Sequence, residues 1–118
     1  MERILVVDDA AFVRMRYVKS LQDNGYEVEE ATNGAEAIEK YKANRPDGVL
    51  LDINMPVMDG LVTLHEIMNI DPTAKVAMVT CIGSQSVVLT ALKTGARDFV
   101  TKPTDDDGLL HTVQKLMS

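Results

Sequence analysis

Short apolar runs alternate with segments of helical periodicity along the whole chain, and this alternation restricts the fold more than any other feature. Three runs, at residues 4–7, 49–51 and 76–79, are continuously apolar. Such runs are typical of strands that are buried on both faces of a parallel sheet. Weaker runs at residues 26–30 and 98–101 are predicted as edge strands, so we expect five strands in one sheet.

The segments between the strands carry the signals of helices. The first has an apolar stripe that ends before Gly25 and predicts a helix facing the core. Capping residues, prolines and glycines delimit four further helices, which we predict at residues 33–44, 60–70 and 85–94 and from about residue 104 onwards. Strict alternation of strand and helix predicts a doubly wound α/β domain, (βα)5, over residues 1–118. The stripe consists of Ala10, Val13, Tyr17 and Leu21.

The length and charge of the chain narrow the classes of protein to which it can belong. Its 118 residues suffice for one sizeable core, and its net charge of −6, with basic residues scattered along the sequence, argues against binding to nucleic acid. The sequence shows no signal peptide and no apolar stretch of membrane-spanning length, so we expect no membrane association and a cytoplasmic location. The single cysteine, Cys81, is interpreted as a small core residue.

Polar residues collect where the predicted strands end. The carboxyl ends of parallel strands lie at the same edge of an open sheet, and ligands bind there. The sequence therefore predicts that these polar residues meet at one edge of the sheet, which we call the rim. They are Asp8 and Asp9 after the first strand, Asp52 after the third, Thr80 at the fourth and Lys102 at the fifth.

This set of side chains indicates phosphoryl chemistry. Three carboxylates at one edge repel one another unless a divalent cation neutralises them, and Mg²⁺ suits both carboxylate and phosphate oxygens. An acidic cluster beside a lysine and a hydroxyl favours phosphoryl transfer to an aspartate. Asp52 is the candidate nucleophile because it follows the most central apolar strand and precedes a turn at residues 53–56. The other rim residues are predicted as metal ligands, Asp8 and Asp9, and as contacts of the phosphoryl oxygens, Lys102 and Thr80.

The rim residues and the turn after Asp52 resemble the receiver domains of response regulators, and most of all those of single-domain chemotaxis regulators. The resemblance covers essentially the whole chain, and its motifs are specific in combination. It implies a two-component signalling protein with a flavodoxin-like sheet of strand order 2-1-3-4-5. The matching residues are Asp8 and Asp9, the run DINMPVMDG at residues 52–60, Thr80, and Lys102 with Pro103.

The resemblance also implies a phosphorylation site and its ligands. Asp52 would accept a phosphoryl group from a histidine kinase. Mg²⁺ would be bound by Asp9, Asp52 and the backbone carbonyl of Asn54, with Asp8 bound to it more indirectly. The chain would catalyse its own phosphorylation and slow dephosphorylation, so we expect a switch rather than an enzyme that turns over many substrates.

The switch and its partners follow from the same resemblance. Phosphorylation would turn the Thr80 hydroxyl toward the phosphoryl group and draw the ring of Phe99 inward. The peptide bond between Lys102 and Pro103 would be cis. The implied partners are proteins: a CheA-like histidine kinase, an output protein such as a flagellar motor switch, and a phosphatase.

Two positions depart from the pattern of the family and leave the output open. Thr104 stands where Phe is frequent, and the acidic residues 105–107 follow it. Phe99 stands where regulators that bind flagellar motors often have Tyr, so one hydroxyl contact to a partner is absent. A stand-alone chemotaxis regulator is the leading expectation. A phosphate sink, a relay receiver and a receiver excised from a longer regulator remain alternatives.

Phe12 and Met15 lie three residues apart on the first predicted helix, roughly opposite its apolar stripe. Both are therefore predicted to be exposed, in a region that resembles the kinase-docking face of receivers. The alternative is that they contact a neighbouring loop.

Two other functions are compatible with an aspartate nucleophile. A phosphatase of the haloacid-dehalogenase type would need the motif D-x-D-x-[TV], but Asn54 and Pro56 occupy its second acidic and its Thr/Val positions, so the general acid is missing. A receiver-shaped scaffold that never takes phosphate would be expected to have lost an acidic or lysine position, and none is lost.

Overall fold

The computed structural model describes all 118 residues, in which five parallel strands alternate strictly with five helices. The sheet order is β2-β1-β3-β4-β5, so the strand order implied by the resemblance is confirmed. None of the helices is long and apolar enough to span a lipid bilayer. The strands are β1 Arg3–Val7, β2 Glu27–Ala31, β3 Gly48–Leu51, β4 Val76–Thr80 and β5 Asp98–Thr101; the helices are α1 Ala11–Asp23, α2 Gly34–Asn44, α3 Gly60–Ile70, α4 Gln85–Thr94 and α5 Asp106–Met117.

The sheet is covered on both faces, which explains why its central strands are continuously apolar. Successive side chains of a strand point to opposite faces. In β1, Leu5 belongs to the core cluster that α2, α3 and α4 cover, whereas Ile4 and Val6 belong to the cluster beneath α1 and α5. Every residue of β3 and β4 is buried. The prediction of a doubly wound parallel sheet is therefore confirmed.

One residue of the predicted α1 stripe and the start of α5 differ from the predictions. Ala10 precedes α1 and is exposed, so it does not belong to the buried stripe, although Tyr17 and Leu21 do. The prediction that α5 begins near Thr104 is wrong by two residues. Asp105 caps this helix because its carboxylate accepts a hydrogen bond from the backbone N–H of Gly108 at 2.7 Å.

Cys81 is exposed, so its interpretation as a core residue is wrong. It follows the last residue of β4 and, with Val13 and Tyr17 of α1, lines a surface pocket of about 260 Å³. The prediction was wrong because the apolar sequence around the end of β4 does not show which residue is the last buried one and which is the first exposed one.

The C-terminal ends of α2 and α3 are tied together at Asp71. Its carboxylate accepts hydrogen bonds from the Tyr41 hydroxyl at 2.7 Å and from the Thr73 hydroxyl at 2.6 Å, and it lies 3.3 Å from the Arg45 guanidinium. The hydrogen bond from Thr73, followed by that from Tyr41, lowers the pKa of Asp71 to about 2. These groups favour the charged carboxylate in the folded state.

We expect Asp71→Asn to lower the free energy of unfolding at pH 7 by about 1 to 2 kcal/mol. Because the folded-state pKa of Asp71 lies below the unfolded value of about 3.9, its contribution is complete above that value and is lost as the pH falls toward 2. Urea unfolding should show that the difference in free energy of unfolding between the unaltered chain and Asp71→Asn is smaller at pH 3 than at pH 7. Asp23→Asn is the control, since it alters an exposed ion pair with Lys19 and should change stability little at either pH. A difference that does not depend on pH would refute the linkage.

Candidate functional site

The register of the sheet brings the polar strand ends together at the rim. Val7 of β1 pairs with Leu51 of β3, and the backbone N–H of Asp52 donates to the carbonyl of Val7 at 3.1 Å. Thr80 is the last residue of β4, and its carbonyl accepts from the N–H of Lys102 at 2.8 Å. The predicted meeting of the strand ends is thus produced by parallel pairing alone.

Lys102 bridges two of the rim carboxylates. Its ammonium group lies 2.5 Å from Asp8 Oδ2 and 3.2 Å from Asp52 Oδ2. The three side chains are only 11%, 3% and 7% exposed, in the order Lys102, Asp8, Asp52, so the pairs are screened far less than surface ion pairs. Burial by itself would lower the pKa of Lys102, but hydrogen bonds and charges from Asp8 and Asp52 outweigh it and raise that pKa. Lys102 is therefore a cation at neutral pH.

The carboxylates at the rim form a cluster with more negative charge than Lys102 can balance. Asp8, Asp9 and Asp52 each offer a ligand oxygen, and these atoms all lie within 4.8 Å of one another. Asp9 is the exposed member, and the other two are buried. The donor set is entirely carboxylate oxygen, which fits a hard divalent cation and does not fit a soft one. The cluster can hold a metal ion.

Asp8 is held in place by further contacts. Its Oδ1 accepts a hydrogen bond from the backbone N–H of Ala10 at 2.9 Å, and its backbone carbonyl accepts from Arg14 at 2.7 Å. Arg14 is itself paired with Glu30 at 2.9 Å. The orientation of Asp8 toward Lys102 is therefore fixed, and Asp9 is left as the accessible carboxylate after β1.

The loop between Asp52 and α3 is folded against the backbone of Asp52. The N–H of Gly60 donates to the carbonyl of Ile53 at 2.9 Å, and a Cβ atom built at Gly60 would lie 2.0 Å from the carbonyl oxygen of Asp52. A glycine is therefore required at residue 60. An Asp-Gly pair such as Asp59-Gly60 is also typical of ordinary turns, so this close approach could not be predicted from the sequence.

Tyr17 is a site residue that the sequence reasoning placed only in the core. Tyr17, Asp8 and Asp52 all line one narrow gap that is too small to hold a water molecule. Burial raises the pKa of its hydroxyl, and the positive charge of Lys102 partly offsets that effect. The apolar stripe of α1 predicts that Tyr17 is buried, but it does not indicate that Asp8 and Asp52 are nearby.

Thr80 and Phe99, the predicted switch residues, lie on neighbouring strands. Thr80 is fully buried, and its hydroxyl accepts a hydrogen bond from the N–H of Ile82 at 3.3 Å. Phe99 pairs with Met78 and is half-buried against the core cluster beneath α4. Residues 78 and 80 share a face because side chains alternate along a strand, so Thr80 and Phe99 lie on the same face of the sheet.

The remaining sequence predictions concern Pro103 and the surface of α1. The Lys102–Pro103 peptide bond is cis, as the resemblance implied. Phe12 and Met15 are 75% and 63% exposed, as predicted from their position opposite the apolar stripe. Asn54 is exposed, and its backbone N–H lies 3.4 Å from Asp52 Oδ1.

Comparison with known proteins assigns the chain to a family with this architecture. The sequence model of the response regulator receiver domain matches residues 4–114. The chemotaxis protein CheY of Bacillus subtilis (strain 168) is 49% identical over 117 residues, which make up 98% of each protein. CheY of Thermotoga maritima is 47% identical over 116 residues, covering 98% of this chain and 97% of that protein.

Solved structures agree with the sequence comparison. CheY in the CheX-CheY-BeF3-Mg complex from Borrelia burgdorferi superposes with a TM-score of 0.95 at 34% identity, over 99% of this chain and 90% of that one. A CheY-like receiver domain protein from Methanospirillum hungatei gives a TM-score of 0.96 at 30% identity, over 99% and 94% of the two chains. Sequence, sheet order and rim geometry thus lead to one assignment, and the chain belongs to the response regulator receiver domain family.

Proposed function

We propose that the chain is a response regulator of a two-component system, in which Asp52 accepts a phosphoryl group in a reaction that requires Mg²⁺. The observation that carries this proposal is the bridge from Lys102 to Asp8 and Asp52 beside the cluster of three carboxylates. That arrangement provides a nucleophile, a cation for the phosphoryl oxygens and a site for a hard metal ion within one rim. As a member of the receiver family, the chain is a signalling switch and not a classical enzyme.

Phosphoryl transfer would proceed by attack of a carboxylate oxygen of Asp52 on phosphorus. The new O–P bond forms as the N–P bond to the donor histidine breaks, and the leaving imidazole keeps the bonding electron pair and takes up a proton. Lys102 compensates the charge that develops on the phosphoryl oxygens, and the Thr80 hydroxyl donates a hydrogen bond to one of them. Because no other covalent step is needed, the protein accelerates the transfer by positioning the reactants and by compensating charge.

The metal ion would be Mg²⁺, held by Asp9, Asp52 and the backbone carbonyl of Asn54, with Asp8 more indirectly involved. When bound, it neutralises the carboxylates and the phosphoryl oxygens. Asp52 and Asp8 are already fixed by Lys102, so the exposed carboxylate of Asp9 is free to meet an incoming ion. Support for Mg²⁺ in particular comes from the Borrelia burgdorferi relative, which was solved with Mg and BeF3.

Output would follow from a shift between two conformations. The Thr80 hydroxyl would leave the N–H of Ile82 for the phosphoryl group, and the ring of Phe99 would move inward on the same face of the sheet. Because the bond from Ile82 is long, little is lost when it breaks. The new contact in the phosphorylated state then favours the inward conformation of Phe99.

The partners would be proteins, as in chemotaxis. Two relatives that cover nearly the whole chain are chemotaxis proteins, and one solved relative is bound to the protein CheX. We propose that a CheA-like histidine kinase donates the phosphoryl group and that the phosphorylated chain binds an output protein such as a flagellar motor switch, with a phosphatase resetting it. Phe12 and Met15 would contribute to the kinase-docking face, because both are apolar and exposed on α1 close to Asp9.

Removal of Mg²⁺ is expected to stop phosphorylation. A small-molecule phosphodonor such as phosphoramidate with Mg²⁺ should add one phosphoryl group, detected by intact mass, and excess chelator should prevent it. Asp9→Asn should raise the Mg²⁺ concentration needed for half-maximal labelling by roughly tenfold or more, because a metal ligand loses its charge. Asp107→Asn is the control, since this residue is exposed in the first turn of α5 and lies outside the carboxylate cluster. Labelling that proceeds equally well in chelator would contradict the proposal.

A further inference from the structure

Arg14 is a positively charged residue of α1 whose side chain is mostly buried. The side chain is 14% exposed, whereas those of Arg16 and Lys19, on the same helix, are 48% and 78% exposed. Burial of a guanidinium group is unfavourable unless charged or hydrogen-bonding partners compensate for it. The partners of Arg14 therefore indicate what its burial contributes to the protein.

Arg14 joins the end of β1 to the edge strand β2. Its Nε donates to Glu30 Oε1 at 2.9 Å, and its Nη1 donates to the backbone carbonyl of Asp8 at 2.7 Å. The backbone N–H of Asp8 donates to the carbonyl of Ala31 at 3.1 Å. Both backbone groups of Asp8 are thus held by β2, one of them directly and the other through Arg14.

The carbonyl that Arg14 contacts belongs to the peptide unit between Asp8 and Asp9. Because a peptide unit is planar, a hydrogen bond to its oxygen also fixes the direction in which the chain enters Asp9. The Asp9 side chain is exposed, so its surroundings do little to hold it. The placement of the Asp9 carboxylate in the cluster therefore depends on the backbone that precedes it.

The charge of Arg14 would by itself oppose the binding of a metal ion. A guanidinium group beside the carboxylate cluster repels a divalent cation, and the carboxylate of Glu30, which is 46% exposed, offsets this repulsion. If charge were the only influence of Arg14, an uncharged replacement would strengthen metal binding. If the hydrogen bond to the Asp8 carbonyl matters more, the same replacement would weaken it. The two explanations predict effects of opposite sign.

We propose that Arg14 is a positioning residue for the Mg²⁺ site, which holds the peptide unit between Asp8 and Asp9 so that the Asp9 carboxylate is in place before the ion binds. This inference rests on the proposed function, in which Asp9 is a metal ligand. It assigns Arg14 no contact with the ion or with the phosphoryl group. The pair with Glu30 orients the guanidinium group and offsets its charge.

Three variants separate the hydrogen bond from the charge. Arg14→Met removes both but keeps an unbranched side chain. Arg14→Lys keeps the charge and the buried stem, so it should fold even if Arg14→Met does not, but an ammonium group lacks the planar fork that reaches both partners. Arg16→Met is the control, because Arg16 lies on the same helix and is exposed, with an ion pair to Asp106 at 3.7 Å. It removes the same charge without touching the chain before Asp9.

Isothermal titration calorimetry of the unphosphorylated proteins should show a Kd for Mg²⁺ that is roughly tenfold higher in Arg14→Met and roughly threefold higher in Arg14→Lys, as expected when a metal ligand loses its support. Arg16→Met should bind Mg²⁺ at least as tightly as the unaltered chain. In the metal-free proteins, hydrogen exchange at the N–H of Ala10, which donates to Asp8 Oδ1, should be faster in the two Arg14 variants only. At saturating Mg²⁺, labelling by phosphoramidate should proceed equally fast in all four proteins.

Mg²⁺ binding in the Arg14 variants that equals or exceeds that of the unaltered chain would overturn the inference, and so would an equal loss in Arg16→Met. Labelling of Arg14→Lys that stays slow at saturating Mg²⁺ would also overturn it, because Arg14 would then act in the transfer step itself. Failure of the unaltered chain to be labelled by phosphoramidate would instead refute the proposed function.

Discussion

Asp52→Asn is expected to lose phosphorylation completely. The amide has no negatively charged oxygen with which to attack phosphorus, and no other rim residue takes the place of Asp52: Asp8 is fixed by Lys102 and by the N–H of Ala10, while Asp9 lies on the exposed side of the cluster. Intact mass after incubation with phosphoramidate and Mg²⁺ should show one added phosphoryl group for the unaltered chain and none for the variant.

The fold of Asp52→Asn should be retained, which makes the loss of labelling interpretable. Its side-chain oxygen can still accept the hydrogen bond from Lys102, and removal of one carboxylate reduces the repulsion within the cluster. Circular dichroism and urea unfolding should therefore show a protein at least as stable as the unaltered chain. A folded Asp52→Asn variant that still gains a phosphoryl group would show that Asp52 is not the acceptor.

Lys102→Ala should have the second largest effect, and it should affect both stability and rate. Without the lysine, the buried carboxylates of Asp8 and Asp52 have no opposite charge, so the free energy of unfolding at pH 7 should fall by about 3 kcal/mol. Phosphorylation by phosphoramidate should slow by about 100-fold, because a cation no longer meets the phosphoryl oxygens. Added Mg²⁺ should restore part of the lost stability by neutralising the same carboxylates.

The matched control for Lys102→Ala is Lys19→Ala. Lys19 also pairs with an aspartate, Asp23, at 2.9 Å, but the two side chains are 78% and 62% exposed. A solvent-exposed pair of this kind should contribute less than about 1 kcal/mol. Equal losses of stability in the two variants would show that burial of the Lys102 pairs is not what makes them important.

Much of the fold could be predicted because it depends on local pattern. Strands such as β3 and β4 are buried on both faces, so their sequences are continuously apolar, and helix ends are marked by capping residues such as Asn33, whose side chain accepts from the N–H of Glu36. The predictions were wrong for residues at the ends of helices and strands, where local pattern does not show whether a residue lies inside or outside the element. Ala10 and Cys81 are small residues that suit a core, yet each lies just outside a helix or strand and is exposed.

The rim could be predicted because parallel strands bring their carboxyl ends to one edge whatever the rest of the chain does. Two kinds of feature could not be predicted: contacts between residues far apart in the sequence, and residues with an unusual backbone conformation. The hydrogen bond between Tyr41 and Asp71 joins residues that are 30 positions apart. The backbone of Gly60 lies so close to that of Asp52 that a Cβ atom would not fit, and this approach depends on how the loop folds back. The backbone of Val57 has a positive φ, although β-branched residues favour a negative φ. A sequence pattern therefore predicts the wrong backbone conformation at this residue.

The role of Asp52 is tested most directly by identifying the residue that carries the phosphoryl group. The phosphorylated chain is treated with borohydride, which reduces an acyl phosphate of aspartate to homoserine, and the digested protein is then mapped by tandem mass spectrometry. We expect homoserine at residue 52 and at no other aspartate, and no homoserine when Mg²⁺ is chelated. Homoserine at residue 8 or 9, with Asp52 unmodified, would contradict the assignment of Asp52 as the phosphoryl acceptor.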